Sequence, residues 1–405
     1  MTLADLLEDA AARHPGADAL RWDGDRMSYG ELRDLVWRCS DALRRAGVER
    51  GDRVAMLAPP SWQQIAVFLA AAHAGAIFVG LNPRHSVPEL DYVVGDSQPV
   101  LLFCAASLFG ADATATREHL AARHQSIRRT VTVDCSAHQD PAFAAFAAEG
   151  EVDAGPPRAR PEDAVAVIYT SGSTGARKGA LLSHRGLLMQ FTGFLERLPL
   201  SHPIHCLADL PVDHVGGLVE RVVPPLMTGG HIVLHERFDP VRFLTDAGEH
   251  GVNFIQGEVT QWLRCVELPE FEQVDLSAIE VCLFAGAAAP PALVKILCER
   301  FPAAITAWGM SETSGGIVVT DPVTPDMPPG LVGRPIKGAE ISISLEGEIL
   351  VRGPMVMPGY LGRPPEAWNI DADGWLHTGD VGELMPHGNL RLLGRRSDFY
   401  KSGGY

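Results

Sequence analysis

Apolar residues recur at helical spacing from Thr2 to His14, and again from Tyr29 to Ala46, where Gly47 closes the run. Between such runs stand short, nearly unbroken apolar stretches at 52–58, 76–81 and 99–104, with helical patterns at 62–74 and 87–95 separating them. Unbroken apolar strands alternating with amphipathic helices predict a parallel sheet covered on both faces. One stretch has a membrane-like texture: 65–81 carries no formal charge. His73, Gly75 and the polar flanks make it a buried helix ending at Gly75, followed by a buried strand at 76–81. Residues 136–162 are rich in Ala, Pro and charge and read as a surface connection.

A second series starts at Ala164. Strands are predicted at 164–170, 204–210, 231–235, 252–256, 280–285 and 303–307, with helices between them such as 239–250 and 290–300. From about Gly333 short strands such as 340–344 and 347–352 alternate with Gly and Pro turns. The fold class that follows is α/β. Two packed αβ subdomains with mostly parallel sheets, roughly 1–160 and 161–332, precede a small β-rich subdomain at 333–396. The length of 405 residues agrees, because single cores stop growing at about 250–300 residues.

Charge narrows the partners. Fifty acidic against 34 basic residues give a net charge of −16, unsuited to general nucleic-acid or anionic-membrane binding. The N-terminus lacks the basic start and apolar run of a signal peptide. Seven scattered cysteines without a CxxC pair read as reduced thiols of a cytoplasmic protein. Neither nucleic-acid binding nor membrane insertion is expected.

Candidate chemistry concentrates after the apolar strand 164–169, in Tyr169-Thr170-Ser171-Gly172-Ser173-Thr174-Gly175-Ala176-Arg177-Lys178-Gly179. Glycines let backbone N–H groups approach an anion, and hydroxyls add donors or a metal ligand. The Walker A pattern is absent. A Ser/Gly linker is the alternative, but the position at a strand end and the closing Lys178 favour a phosphate-holding loop.

This segment resembles the signature loop of the adenylate-forming superfamily, which comprises acyl-CoA synthetases, adenylation domains of peptide synthetases and firefly luciferase. Ala176 stands where a proline usually precedes the basic pair. Further matches recur in family order: Tyr29-Gly-Glu-Leu, Gly51-Asp-Arg-Val, Leu81-Asn-Pro-Arg, Gly286-Ala-Ala-Ala-Pro290, Trp308-Gly-Met-Ser-Glu312, Gly347-Glu-Ile-Leu-Val-Arg-Gly353, Gly374-Trp-Leu-His-Thr-Gly-Asp380 and Gly394-Arg-Arg-Ser-Asp398.

The resemblance implies roles residue by residue. Thr170, Ser171, Gly172, Ser173, Thr174, Gly175 and Lys178 would hold the ATP phosphates, and Thr174 with Glu312 would face Mg²⁺. Gly286, Ala287 and Ala288 would line the adenine pocket. Trp308 stands for a tyrosine that stacks on adenine, with Gly309 beside it, and Ser311 stands for a threonine at the α-phosphate. Asp380 would receive the ribose hydroxyls, with Arg395 near ribose and phosphate. Asp398 would be the hinge to a mobile C-terminal domain that carries a catalytic lysine. The chain ends at Tyr405, so the resemblance implies ATP and acid binding with slow turnover.

Asp213, His214, Gly217, Gln256, Glu258, Gly286, Gly309 and Met310 are the candidate acid pocket. His214 matches the second residue of an aromatic–His pair at the pocket entrance. Asp213 replaces the aromatic member, and an unpaired buried carboxylate is costly, so it needs a partner. Arg221 is one candidate and a cationic or hydrogen-bonding substrate group is another. Gln256, Glu258 and Gln261 replace an apolar stretch. Facing inward they imply an aryl or small polar acid; facing solvent they imply nothing. His202, His205 and His214 lack the spacing of a metal cluster.

The implied reaction is attack of a small-molecule carboxylic acid on the α-phosphorus of ATP, then acyl transfer to coenzyme A. A carrier protein, an amine, or nitrite with an aryl amine are alternative acceptors. A non-catalytic nucleotide-binding protein is the rival of a different class.

Overall fold

The computed structural model describes the chain except residues 136–139, 154, 171–176 and 397–405. Two compact units emerge, each from discontinuous chain: Met1–Thr170, Gly179–Leu188 and His202–Asp239 in the first, Ser171–Lys178, Met189–Ser201 and Pro240–Tyr405 in the second.

The first unit contains a six-stranded sheet in the order Lys178–Ser183, Ala164–Thr170, Ile77–Leu81, Arg53–Leu57, Leu101–Ala105, Arg129–Val133. The pairs from Ala164–Thr170 to Arg129–Val133 are all parallel. The helix Trp62–Ala74 is buried along its whole length and ends at left-handed Gly75. The uncharged 65–81 stretch is therefore core, as its interrupting His73 and Gly75 predict, and among the described residues no helix is long and apolar enough to cross a membrane.

Two elements of this unit depart from the sequence reading. Residues 136–162 are not only a surface connection, because Pro141–Ala147 is a helix. Its Ala-rich, proline-led sequence hides the signal. Asp140 accepts from the backbone N–H groups of Ala142 and Phe143, and Phe143 and Phe146 are buried against Trp62 and Phe103. The second is the hairpin Asp18–Trp22 and Asp25–Ser28, joined by Asp23 and Gly24, both at positive φ. Asp-Gly is a strong hairpin signal, but the polar strands around it carry little apolar pattern. With Ile232–Leu234 and Cys206–Ala208 this hairpin builds a four-stranded sheet.

The second unit is organised on nine strands. Phe254–Glu258, Val281–Ala285 and Ala303–Met310 are parallel. Gly315–Val319, Leu331–Pro335, Leu390–Arg395, Leu376–Leu384, Glu348–Arg352 and Glu340–Ile343 continue the sheet with antiparallel pairing. Strand direction changes at Gly315–Val319, before the change of texture near Gly333, and the strands after Gly333 continue the same sheet rather than forming one of their own. Ala303–Met310 has a parallel neighbour on one side and an antiparallel one on the other. The residues that follow this strand are the centre of the candidate site.

Candidate active site

In the second unit, Ala303–Met310 delivers Trp308 and then turns into the short 3-10 helix Ser311–Thr313. Thr313 fixes the turn: its Oγ1 accepts from the N–H of Met310 and lies within reach of the carbonyl oxygens of Met310 and Gly315, either of which can take its one proton. Gly309 is required by close approach, because a Cβ there would lie 2.0 Å from the carbonyl oxygen of Gly315. Ser311 and Glu312, 8% and 7% exposed, are held at this bend.

Trp308 is buried, and its indole N–H donates to Asp380 Oδ2 at 2.9 Å. The other oxygen, Oδ1, lies 3.3 Å from the Nε of exposed Arg395, the residue that pairs with Asp380 across adjacent strands. Three residues distant in sequence therefore meet at one carboxylate. A carboxylate has about four lone-pair positions, so Asp380 keeps acceptor capacity beyond these two contacts.

Glu312 Oε1 accepts a hydrogen bond of 2.8 Å from the hydroxyl of buried Tyr360. Burial first, and the neighbouring Glu312 charge second, push the phenol above its ordinary range and keep it a donor. The Nζ of Lys178 lies 5.1 Å from the centroid of the same ring. Sequence reasoning missed Tyr360. Its one signal is its place in a Gly/Pro-rich stretch after the Gly347–Gly353 motif.

Gly286, Ala287 and Ala288 form an exposed turn after Val281–Ala285. A Cβ on Gly286 would lie 3.6 Å from Glu258 Cγ. Gln256 is buried and Glu258 exposed. Glu258 is the N-cap of the helix Val259–Cys265, and Gln261 Oε1 accepts from its N–H at 2.8 Å. The polar run is thus partly a helix start.

In the first unit, the loop before the helix Val215–Leu218 presents His214 exposed, its Nδ1 accepting from the N–H of Gly216. Gly217 is buried under the Pro211 carbonyl oxygen, 2.1 Å from where a Cβ would stand. The partner of Asp213 is Asn82, not Arg221. Asn82 Nδ2 donates to Asp213 Oδ2 at 3.1 Å, whereas the Nε of buried Arg221 lies 3.8 Å from Asp209. Asp213 Oδ1 is buried with no hydrogen-bond partner among the described residues. The backbone of this loop presses on the strand Ile77–Leu81, since a Cβ on Gly80 would come 2.3 Å from the Val212 oxygen. Thr170, at the end of Ala164–Thr170, is half-buried. Ser171, Gly172, Ser173, Thr174, Gly175 and Asp398 lie outside the described residues.

A strand-to-turn bend carrying an indole, a hydroxyl and a carboxylate, with the indole bonded to a second carboxylate, offers a flat stacking face and acceptors for hydroxyl groups. The chain belongs to the AMP-binding enzyme family, whose sequence pattern it matches over residues 7–361. It is 33% identical to a 3-[(3aS,4S,7aS)-7a-methyl-1,5-dioxo-octahydro-1H-inden-4-yl]propanoyl:CoA ligase of Mycobacterium tuberculosis, covering 100% of this chain and 81% of that protein. It is also 33% identical to a feruloyl-CoA synthase of an Amycolatopsis species, covering 97% of this chain and 78% of that protein. Its fold matches the N-terminal domain of FACL13 from Mycobacterium tuberculosis with a TM-score of 0.89 at 22% identity, over 97% of this chain and 99% of that one.

Proposed function

We propose that the protein activates an aryl or small polar carboxylic acid, using the residues around Trp308–Glu312 and Asp380 to hold ATP. The reaction class is that of an AMP-forming acid–CoA ligase: ATP-dependent adenylation of a carboxylate, then transfer of the acyl group to coenzyme A. The observation that carries the residue assignment is the hydrogen bond of Trp308 to Asp380, four residues from buried Glu312.

In the first half-reaction the acid oxygen attacks the α-phosphorus and pyrophosphate leaves. Such chemistry needs in-line placement and stabilisation of spreading negative charge more than proton transfer. Asp380 receives the ribose hydroxyls, which fixes the nucleotide along its axis. Trp308 and Arg395 orient that carboxylate, and Trp308 also offers a face to adenine, beside Gly309 and the Gly286–Ala288 turn. Ser311 supplies a hydroxyl to the α-phosphate, and Lys178 brings positive charge to the phosphates with the 170–175 segment.

Mg²⁺ fits the donor set. Among the described residues there is no group of three or more His, Cys, Asp and Glu that could hold a metal, and a Mg²⁺ held by one or two protein ligands would draw the rest of its shell from phosphate oxygens and water. A carboxylate together with ATP phosphates is the normal way to hold this cation. Glu312 is buried and oriented by Tyr360; it would be the protein ligand, with Thr174. When bound, Mg²⁺ offsets phosphate charge.

On the first unit, Asp213, His214 and Gly217 are the residues that meet the acid in this reading. The Asp213–Asn82 pair favours acids with a polar substituent, and the two ligases above are named for ring-bearing acids. Mass spectrometry of AMP, pyrophosphate and acyl-CoA over a panel of aryl and aliphatic acids, on the protein and on Asp213→Asn, tests it. The expected result is acyl-CoA formation for aryl or small polar acids, with Asp213→Asn shifting preference toward unsubstituted rings. AMP release that ignores coenzyme A and requires nitrite with an aryl amine would overturn the acceptor; preference for long fatty acids would overturn the acid class.

A further inference from the structure

We propose that Tyr360 is a positioning residue for the phosphate end of the nucleotide, setting the Glu312 carboxylate through its hydroxyl and the Lys178 ammonium through its ring face. The proposal rests on the reading of Glu312 as the residue that faces Mg²⁺.

One side chain serves both charges. The Tyr360 hydroxyl donates to Glu312 Oε1 at 2.8 Å, and the two residues are 6% and 7% exposed. A buried carboxylate without donors is costly, and a carboxylate meant for a cation is held in orientation by hydrogen bonds behind it. The ring has a negative face and a positive edge. Lys178 Nζ lies 5.1 Å from its centroid, inside the roughly 6 Å range of cation–π attraction. The same ring thus contacts one negative group through its hydroxyl and one positive group through its face.

The segment carrying Tyr360 is itself latched to the bend. Met357 N–H donates to the Glu312 carbonyl oxygen at 2.8 Å, and Ser314 Oγ donates to the Met355 carbonyl oxygen at 2.9 Å. The backbone of the acid and the backbone that delivers its donor are therefore joined by two hydrogen bonds.

The test is calorimetric ATP binding with Mg²⁺ and with EDTA, alongside unfolding temperatures. Tyr360→Phe keeps the ring and removes the hydroxyl. It should cut the affinity gain that Mg²⁺ confers by about tenfold, the lower end of losses seen when a ligand's supporting hydrogen bond is removed, and leave ATP affinity in EDTA unchanged. Tyr360→Leu removes the ring as well. It should also weaken ATP in EDTA to the level of Lys178→Ala, with no further loss when the two are combined. Tyr360→Phe that lowers only the unfolding temperature and keeps the full Mg²⁺ gain would make Tyr360 a structural brace and overturn the proposal. Glu312→Gln separates the two layers. If it abolishes the Mg²⁺ gain while Tyr360→Phe does not, this proposal alone fails; if Glu312→Gln keeps the gain, the reading of Glu312 fails and this proposal with it.

Discussion

At Trp308 the indole offers a flat face and one N–H donor, and the donor is spent on Asp380 Oδ2 at 2.9 Å. A hydrogen bond to a charged group is worth about 1.5–3 kcal/mol. Trp308→Phe keeps most of the face and removes the donor, so it should loosen Asp380 rather than empty the base site. ATP affinity should fall about tenfold, and 2′,3′-dideoxy-ATP should lose less, since it has no hydroxyls for Asp380 to receive. Titration of both nucleotides checks this; equal losses would mean that Trp308 acts through its face alone. Trp308, Glu312 and Asp380 were legible because each stands in a short motif. Tyr360 and Asn82 were not. Their roles depend on which segments the fold brings together, such as 355–360 against 311–314, and no local pattern encodes that pairing. Arg221 misled for the same reason: proximity in sequence to Asp213 suggested a partner that Asp209 engages instead.

Elements of the first unit carry two further outcomes. The loop holding Asp213 and His214 rests on Gly80 of the strand Ile77–Leu81, where a Cβ would meet the Val212 oxygen at 2.3 Å. Backbone cannot yield as a flexible side chain can. Gly80→Ala should therefore cost about 1–3 kcal/mol in urea unfolding, the range for overpacked interiors. It should also alter the preference among acids by displacing the loop. A wild-type midpoint would contradict the close packing.

The helix Trp62–Ala74 contributes the pH dependence. His73 lies within it, bonded to Ser40 at 2.8 Å, and burial lowers its pKa to about 4. His184, which accepts from the N–H of Leu3, is likewise lowered by burial to about 4. The ordinary value is 6.5, so between these limits the unfolded chain takes up protons that the folded chain refuses. Stability is then complete above about pH 6.5 and declines as pH falls toward about 4. Thermal unfolding at stepped pH should show this decline, and His73→Asn should flatten it. The alternation of helices and apolar strands was legible here because burial on both faces leaves an unbroken apolar run. The helix Pro141–Ala147 was not, since two phenylalanines carry its packing in an otherwise linker-like sequence.

For the molecule as a whole, the excess of 50 acidic over 34 basic residues leaves anion binding to local devices, and Lys178 with the glycine-rich 170–175 segment is the one proposed here. The family and its acyl-CoA ligase relatives agree on a reaction that begins with adenylation of a carboxylate. The most direct measurement is ATP–pyrophosphate exchange by the purified protein across the acid panel, with Glu312→Gln as control. Exchange that depends on an added aryl or small polar acid and disappears in Glu312→Gln is the predicted result. ATP binding with no exchange for any carboxylic acid would contradict it and leave a nucleotide-binding protein without this chemistry.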